Sequence, residues 1–322
     1  MESLQQLGLA LTAWLQTASP ALDGLMTFIS LLGSVGFYLL LIPIIYWLYD
    51  PSLGVRVLLV LLTTDFFGNV FKQLFHQPRP YWIGPVQGLA QETSYGIPSG
   101  HSSNSLAVWG YLAYRLGKVW LWGLATALVL LIGLSRLYLG VHFPHDVLFG
   151  WLIGLAVIFL FARFEKPVGA WMAQQSLGGQ ALVGLVASLV MVLVGWLVLA
   201  LIAGSPDPEP WRAYAAEARD LTRYFTLGGA LFGTVSGYAL MKRYAAFQPA
   251  GRWGQKLARF ALGIFGLLII YLGLDLLFGL LAADESLLGY ILRYLRYASL
   301  TLWAVFLAPW LFIRLRLAEN RN

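Results

Sequence analysis

Apolar runs of membrane-spanning length, repeated from end to end, constrain this chain more than any other feature. Residues 181–202 carry no charged side chain, and comparable runs recur at 25–48, 53–75, 119–139, 144–164, 225–244, 257–281 and 288–313, with a shorter one at 102–116. A helix needs about 20 apolar residues to cross the hydrocarbon layer, and lipid tolerates only elements that satisfy their own backbone. The pattern predicts an all-α fold, a polytopic membrane helix bundle of about nine spans. The charged fraction agrees, at 11% of 322 residues against roughly a quarter in soluble domains.

The segments between the runs refine this. Residues 4–17 have helical periodicity but fall short of a span, so residues 1–20 read as an interfacial helix anchored by Trp14. Pro43 predicts a kink in the first span, and Pro144 separates the fourth from the fifth. Gly229, Gly233 and Gly237 put small residues on one face of the seventh span, suited to close helix contact or to a homodimer face. Asp275, inside the eighth span, is expected to pair with Arg293 or Arg296. The first residues lack Lys and Arg, so no cleavable signal peptide is expected. Cysteine is absent, which excludes disulfides, thiolate nucleophiles and thiolate metal sites. The net charge of +6 is scattered between spans, as topology requires, and does not suggest nucleic acid as a partner.

Counting Lys and Arg on alternate sides gives orientation. One side holds 13, among them Arg56, Arg115, Lys118, Lys242, Arg243 and Arg314; the other holds 5, Arg212, Arg219, Arg223, Arg293 and Arg296. Three more, Lys72, Arg79 and Arg136, are set aside as site residues. The positive side is cytoplasmic, so the N-terminus is expected outside and the C-terminus inside. Three polar stretches then share the extracytoplasmic face: 72–80, 98–101 and 135–146.

Those stretches carry chemistry. Lys72, Arg79 and Arg136 are three cations at span ends with few acids nearby, a pattern that calls for an anion. Phosphate fits, because guanidinium grips its oxygens in pairs; snorkelling at helix ends is the bland alternative for any one of them. Pro98-Ser99-Gly100-His101 opens the third span. Its first N–H groups, with Ser99 and a close approach at Gly100, can cradle phosphate, although Ser before a helix is also an ordinary cap. His142 and Asp146 are four residues apart, so the carboxylate can fix the imidazole tautomer and leave the other nitrogen to attack. His101 would protonate the leaving oxygen. No metal and no cofactor is called for. Asp65 and Asn69 lie on the face of Lys72 and are candidates to steady it, or to bond between helices. His76 and His145 read as structural.

The three stretches resemble the signature of the type 2 phosphatidic acid phosphatase (PAP2) superfamily, relatives of the vanadium haloperoxidases: K-x6-R-P, P-S-G-H and S-R-x5-H-x3-D. Here these are Lys72 with Arg79-Pro80, Pro98 to His101, and Ser135-Arg136 with His142 and Asp146. The resemblance implies a haloperoxidase-like catalytic core over 21–166 and a phosphohistidine at His142. It implies Asp146 as the orienting group, His101 as the acid, and a phosphate site of Lys72, Arg79, Ser99, Gly100 and Arg136. The nine-span plan is similar to glucose-6-phosphatase and sphingosine-1-phosphate phosphatase. The four helices of 178–316 carry no signature of their own.

The expectation is an integral membrane phosphatase acting without metal at the extracytoplasmic face on a lipid or prenyl phosphate or diphosphate, with the bilayer and a membrane lipid as partners. A sugar phosphatase like glucose-6-phosphatase and a phosphotransferase to a lipid or sugar acceptor stay open. A serine hydrolase using Ser99 leaves the cations unexplained, and a transporter or scaffold needs no nucleophile.

Overall fold

The computed structural model describes residues 2–320. Every predicted span falls on helix: α1 (Glu2–Leu15), α2 (Asp23–Leu31), α3 (Val35–Ile44), α4 (Pro51–Phe75), α5 (Pro80–Ile83), α6 (Gly100–Leu116), α7 (Val119–Tyr138), α8 (Pro144–Gln174), α9 (Leu177–Ile202), α10 (Thr222–Tyr244), α11 (Trp253–Gly279), α12 (Leu287–Leu302) and α13 (Ala308–Arg314). A π turn, Trp303–Leu307, joins α12 to α13. Strand is confined, among the described residues, to an antiparallel pair of two-residue segments, Phe247–Gln248 and Glu319–Asn320.

Six helices among the described residues are long and apolar enough to cross a membrane, and the bent pair Asp23–Leu31 with Val35–Tyr49 adds a seventh. The other two predicted spans differ for a physical reason. α6 has 17 residues and buries a polar run, Ser102, Ser103, Asn104 and Ser105. Its serines bond back along the helix, Ser103 Oγ to the Gly100 carbonyl and Ser105 Oγ to that of Ser102, each at 3.1 Å. α10 is rich in glycine, and its inward face is buried. Both helices turn toward protein rather than lipid.

Two boundaries are corrected. The first span is not one helix kinked at Pro43. It breaks at residues 32–34 with a 51° bend, where Ser34 Oγ caps α3 by accepting from the Phe37 N–H at 3.1 Å. Gly33 makes the bend feasible, since a Cβ there would lie 2.6 Å from Ile132. Pro43 sits inside α3, followed by a π turn at Ile45–Tyr49. The fifth span runs to Gln174 rather than 164 and absorbs Pro167. Its last turns are rich in Glu, Lys, Ala, Met and Gln, which favour helix.

The chain divides into two compact units. The first comprises residues up to Tyr38, Thr63–Arg163 and Leu197–Asp220. Its α8 crosses α6 closely, for a Cβ at Gly150 would come within 2.6 Å of the Ser99 carbonyl and one at Gly154 within 2.9 Å of that of Ser103. One core cluster joins Trp82, Tyr95, Trp211, Ala215 and Ala218; another joins Tyr138, Leu139 and Val141. Gln16, just past α1, donates to the carbonyls of Gln87 and Tyr138 at 2.8 and 3.0 Å. Trp14 is exposed.

The second unit holds Leu39–Leu62, Phe164–Trp196 and the chain from Leu221 onward. Here a Cβ at Gly229 or Gly233 would collide with the Tyr294 or Ala298 carbonyl, and Gly237 faces Val305. The small-residue stripe therefore seats α10 on the segment 294–305 of the same chain, not on a second copy. Trp47 donates to the Ala304 carbonyl at 2.8 Å and meets Phe312 edge-on. Asp275 pairs with Arg296, while Arg293 lies 3.5 Å from Asp284. Leu152, Phe159 and Leu201 of the first unit and Leu276 of the second are each more than half exposed; apolar surface on this scale is lipid-facing.

Candidate active site

All the residues singled out for the site lie in the first unit, most of them at helix ends and the loops beside them; Asp65 and Asn69 sit inside α4. Lys72 closes α4, and its Nζ donates to the Tyr95 carbonyl at 2.6 Å and to that of Gly96 at 3.4 Å. Arg79 precedes α5. Its guanidinium is fully buried and is fixed by the Ser94 carbonyl (2.7 Å), the Val141 carbonyl (2.8 Å), Ser94 Oγ (3.0 Å) and the Tyr95 carbonyl (3.2 Å). Arg136, in the last turn of α7, donates to Ser30 Oγ at 2.6 Å. The side chain of Asn69 turns back to the Asp65 carbonyl at 2.7 Å.

The N-terminus of α8 fixes the imidazole of His142. Pro144 is its first residue, a position where a missing N–H costs nothing. Asp146, two residues on, reaches back with Oδ2 to the Phe143 N–H at 2.9 Å, half of a capping box. The same oxygen lies 3.3 Å from His142 Nδ1, so the helix cap and the imidazole share one carboxylate. Arg79 Nη1 lies 3.2 Å from His142 Nε2. A guanidinium only donates, so Nε2 is the acceptor and Nδ1 carries the proton toward Asp146. Burial first, then the charges of Arg79, Lys72 and Arg136, hold the His142 imidazole well below the usual histidine range. A neutral ring with its lone pair on Nε2 is the form a nucleophile requires.

His101 lies in the first turn of α6, with Gly33 packed beside its ring. Ser99 serves as the cap of α6, accepting from Ser102 Oγ at 3.0 Å and from the Ser102 N–H at 3.4 Å; the ordinary capping reading is the one observed. A Cβ at Gly100 would meet nothing within 4 Å, so packing does not demand glycine there. His145 is closer to the chemistry than expected. It stacks on Phe143, with Nε2 3.3 Å from Asp146 Oδ1, although that oxygen has no partner in hydrogen-bond geometry. His76 ends α4 in the left-handed region (φ 33°) and meets the Tyr95 ring edge-on.

Spacing missed Glu92. It pairs with Arg136 and lies 3.7 Å from Arg79, so the cations are not short of an acid. Burial would raise its carboxyl, but Arg79 and Arg136 outweigh this and lower it to about 2. Nothing periodic in a polar loop signals which acid turns inward. Spacing also missed Tyr95. Its hydroxyl sits 2.9 Å from both Asp207 oxygens and accepts from Arg219 Nε at 2.6 Å; burial and Asp207 push it up to about 12.

Shared partners, the Tyr95 carbonyl and Glu92, thus link three cations, one of which lies against the neutral imidazole nitrogen of His142, a set of charges suited to a tetrahedral anion. Comparison with known proteins gives the family. Residues 53–169 match the PAP2 superfamily model. Phosphatidylglycerophosphatase B of Bacillus subtilis (strain 168) is 35% identical over 46% of this chain and 78% of its own length. The chain belongs to the PAP2 superfamily. This PAP2 membrane phosphatase also matches, over 225–320, the model described as PAP2 superfamily phosphatase, transmembrane extension, so its C-terminal helices do carry a family resemblance, contrary to expectation. Undecaprenyl-diphosphatase of Sulfolobus acidocaldarius is 31% identical over 45% of the chain and 71% of that protein. Glucose-6-phosphatase 3 of Mus musculus is 28% identical over 96% of the chain and 95% of that protein.

Proposed function

We propose that this PAP2 phosphatase hydrolyses lipid or prenyl phosphates or diphosphates through a phosphohistidine, at the extracytoplasmic face and without a metal. The observation that carries the reading is His142, with Nδ1 on Asp146 and Nε2 on Arg79. Substrate phosphate replaces Glu92 among the cations, and Arg79 transfers its hydrogen bond from Nε2 to a phosphate oxygen. Nε2 attacks phosphorus and the P–O bond to the alcohol breaks; His101, which burial and Arg136 lower to about 3, takes up a proton as the substrate's negative charge binds and gives it to the leaving oxygen. Lys72, Arg79 and Arg136 hold the equatorial oxygens as charge shifts. Water, deprotonated by His101, then displaces His142 and releases phosphate. The lipid-facing apolar surface supports a substrate that reaches the site sideways, its tail remaining in the bilayer.

A second reading, a small sugar phosphate, is favoured by one observation. The likeness to glucose-6-phosphatase 3 runs nearly end to end, whereas those to the lipid and prenyl phosphatases cover less than half of the chain.

The deciding experiment measures phosphate release by the purified chain from phosphatidylglycerophosphate, phosphatidic acid, sphingosine-1-phosphate, undecaprenyl diphosphate and glucose-6-phosphate, with and without EDTA. Turnover of lipids that survives EDTA and disappears in His142→Ala is expected. Release from glucose-6-phosphate alone selects the sugar reading, and a requirement for metal defeats the metal-free step.

A further inference from the structure

The segment 203–221 joins α9 to α10 and lies between the two stretches that match the family models. It belongs to the first unit through Asp220. Its Trp211 and Tyr214 stack against Trp82 at 5.9 and 6.0 Å.

Two polar ties bring this segment to the phosphate cations. Gln73, next to Lys72, is buried and donates to the Ala218 carbonyl at 2.6 Å. The second tie runs through Tyr95. Its carbonyl accepts from both Lys72 and Arg79, so the placement of that one peptide contributes to the aim of two cations. The peptide lies outside regular secondary structure, and the ladder of a helix does not hold it. Its side chain holds it instead. The ring is fully buried, and the hydroxyl is gripped by Asp207 and Arg219. Arg219 is fixed in turn by Asp207 Oδ1 (2.8 Å) and by the carbonyls of Ser205 (2.6 Å) and Ile202 (3.1 Å).

We propose that Asp207 and Arg219 are positioning residues for phosphate recognition, acting through Tyr95 to set Lys72 and Arg79. This rests on the proposed phosphate site. If the clamp merely anchored a loop, breaking it would lower the melting temperature and leave anion affinity alone.

The test uses the full purified chain and the vanadate concentration that gives half of its thermal stabilisation, read beside the melting temperature in its absence. Tyr95→Phe removes one oxygen and keeps the buried ring; Asp207→Asn removes the charge. Each is expected to raise the half-stabilising concentration roughly five- to tenfold, the scale of one hydrogen bond. The double variant is expected to lose little more than either single, because both act through one path. Glu209→Gln, an exposed change on the same segment, should alter nothing. An unchanged vanadate concentration in Tyr95→Phe, or losses that add fully in the double, overturns the proposal. Should Asp207→Asn fail to fold, Tyr95→Phe decides alone. A wild type that vanadate does not stabilise also overturns it. A wild type that binds vanadate yet hydrolyses nothing defeats the phosphatase reading and leaves the clamp standing.

Discussion

Under the proposed function, Glu92 and the substrate phosphate compete for Arg79 and Arg136, the two cations that Glu92 contacts. Glu92→Gln is therefore expected to tighten vanadate inhibition roughly three- to tenfold, within the range of a partly screened ion pair; weaker inhibition would mean that the carboxylate orients the guanidiniums instead. The same residue sets a pH dependence. Its carboxyl is lowered from 4.5 to about 2 in the folded chain, so its stabilisation is complete above 4.5 and is lost as pH falls toward 2. Thermal melts between pH 5 and 3 should drop more steeply for the wild type than for Glu92→Gln. His142 bears on activity: with its imidazole held below the usual histidine range, the acid limb of kcat/KM should lie well under 6.5, and a limb at 6.5 would contradict a buried neutral nucleophile. The motif residues were legible because their chemistry needs fixed spacings. Glu92 and Tyr95 were not, since loop geometry leaves no periodic trace.

Helix ends carry most of the proposed site. The α8 cap uses one carboxylate for both the Phe143 N–H and His142, so Asp146→Asn should leave the fold nearly intact and cut kcat at least about 100-fold, as losing the orienting charge does in other histidine sites. A loss of melting temperature matching the loss of rate would argue for a purely structural cap. In the second unit, Gly229→Val would drive a side chain into the Tyr294 carbonyl and should destabilise by about 1–3 kcal/mol, measured by detergent melts. Helix positions were largely readable from apolar runs. The break at Gly33-Ser34 was not, because apolarity continues across it and the reason for the bend is a neighbour, Ile132, distant in sequence. The overrun of α8 was hidden by Pro167, a residue that usually stops a helix.

Across the whole molecule, the excess of Lys and Arg on one side predicts orientation, and the absence of cysteine makes it easy to check. Gln87→Cys should react with a membrane-impermeant maleimide in intact cells and Lys118→Cys should not; the reverse pattern would turn the topology over. The charge count predicts sidedness, but it holds no information about which segments associate, since a unit formed from three separated stretches leaves no mark in local composition. That interleaving bears on how the protein is made. A ribosome that has reached residue 174 has delivered every motif residue, yet Asp207 and Arg219 are still unsynthesised. The first unit thus waits, incomplete, while α9 is translated and inserted, and only the return of the chain through Asp220 finishes it. Synthesis order, rather than local folding speed, sets the earliest moment at which this unit has all of its chain.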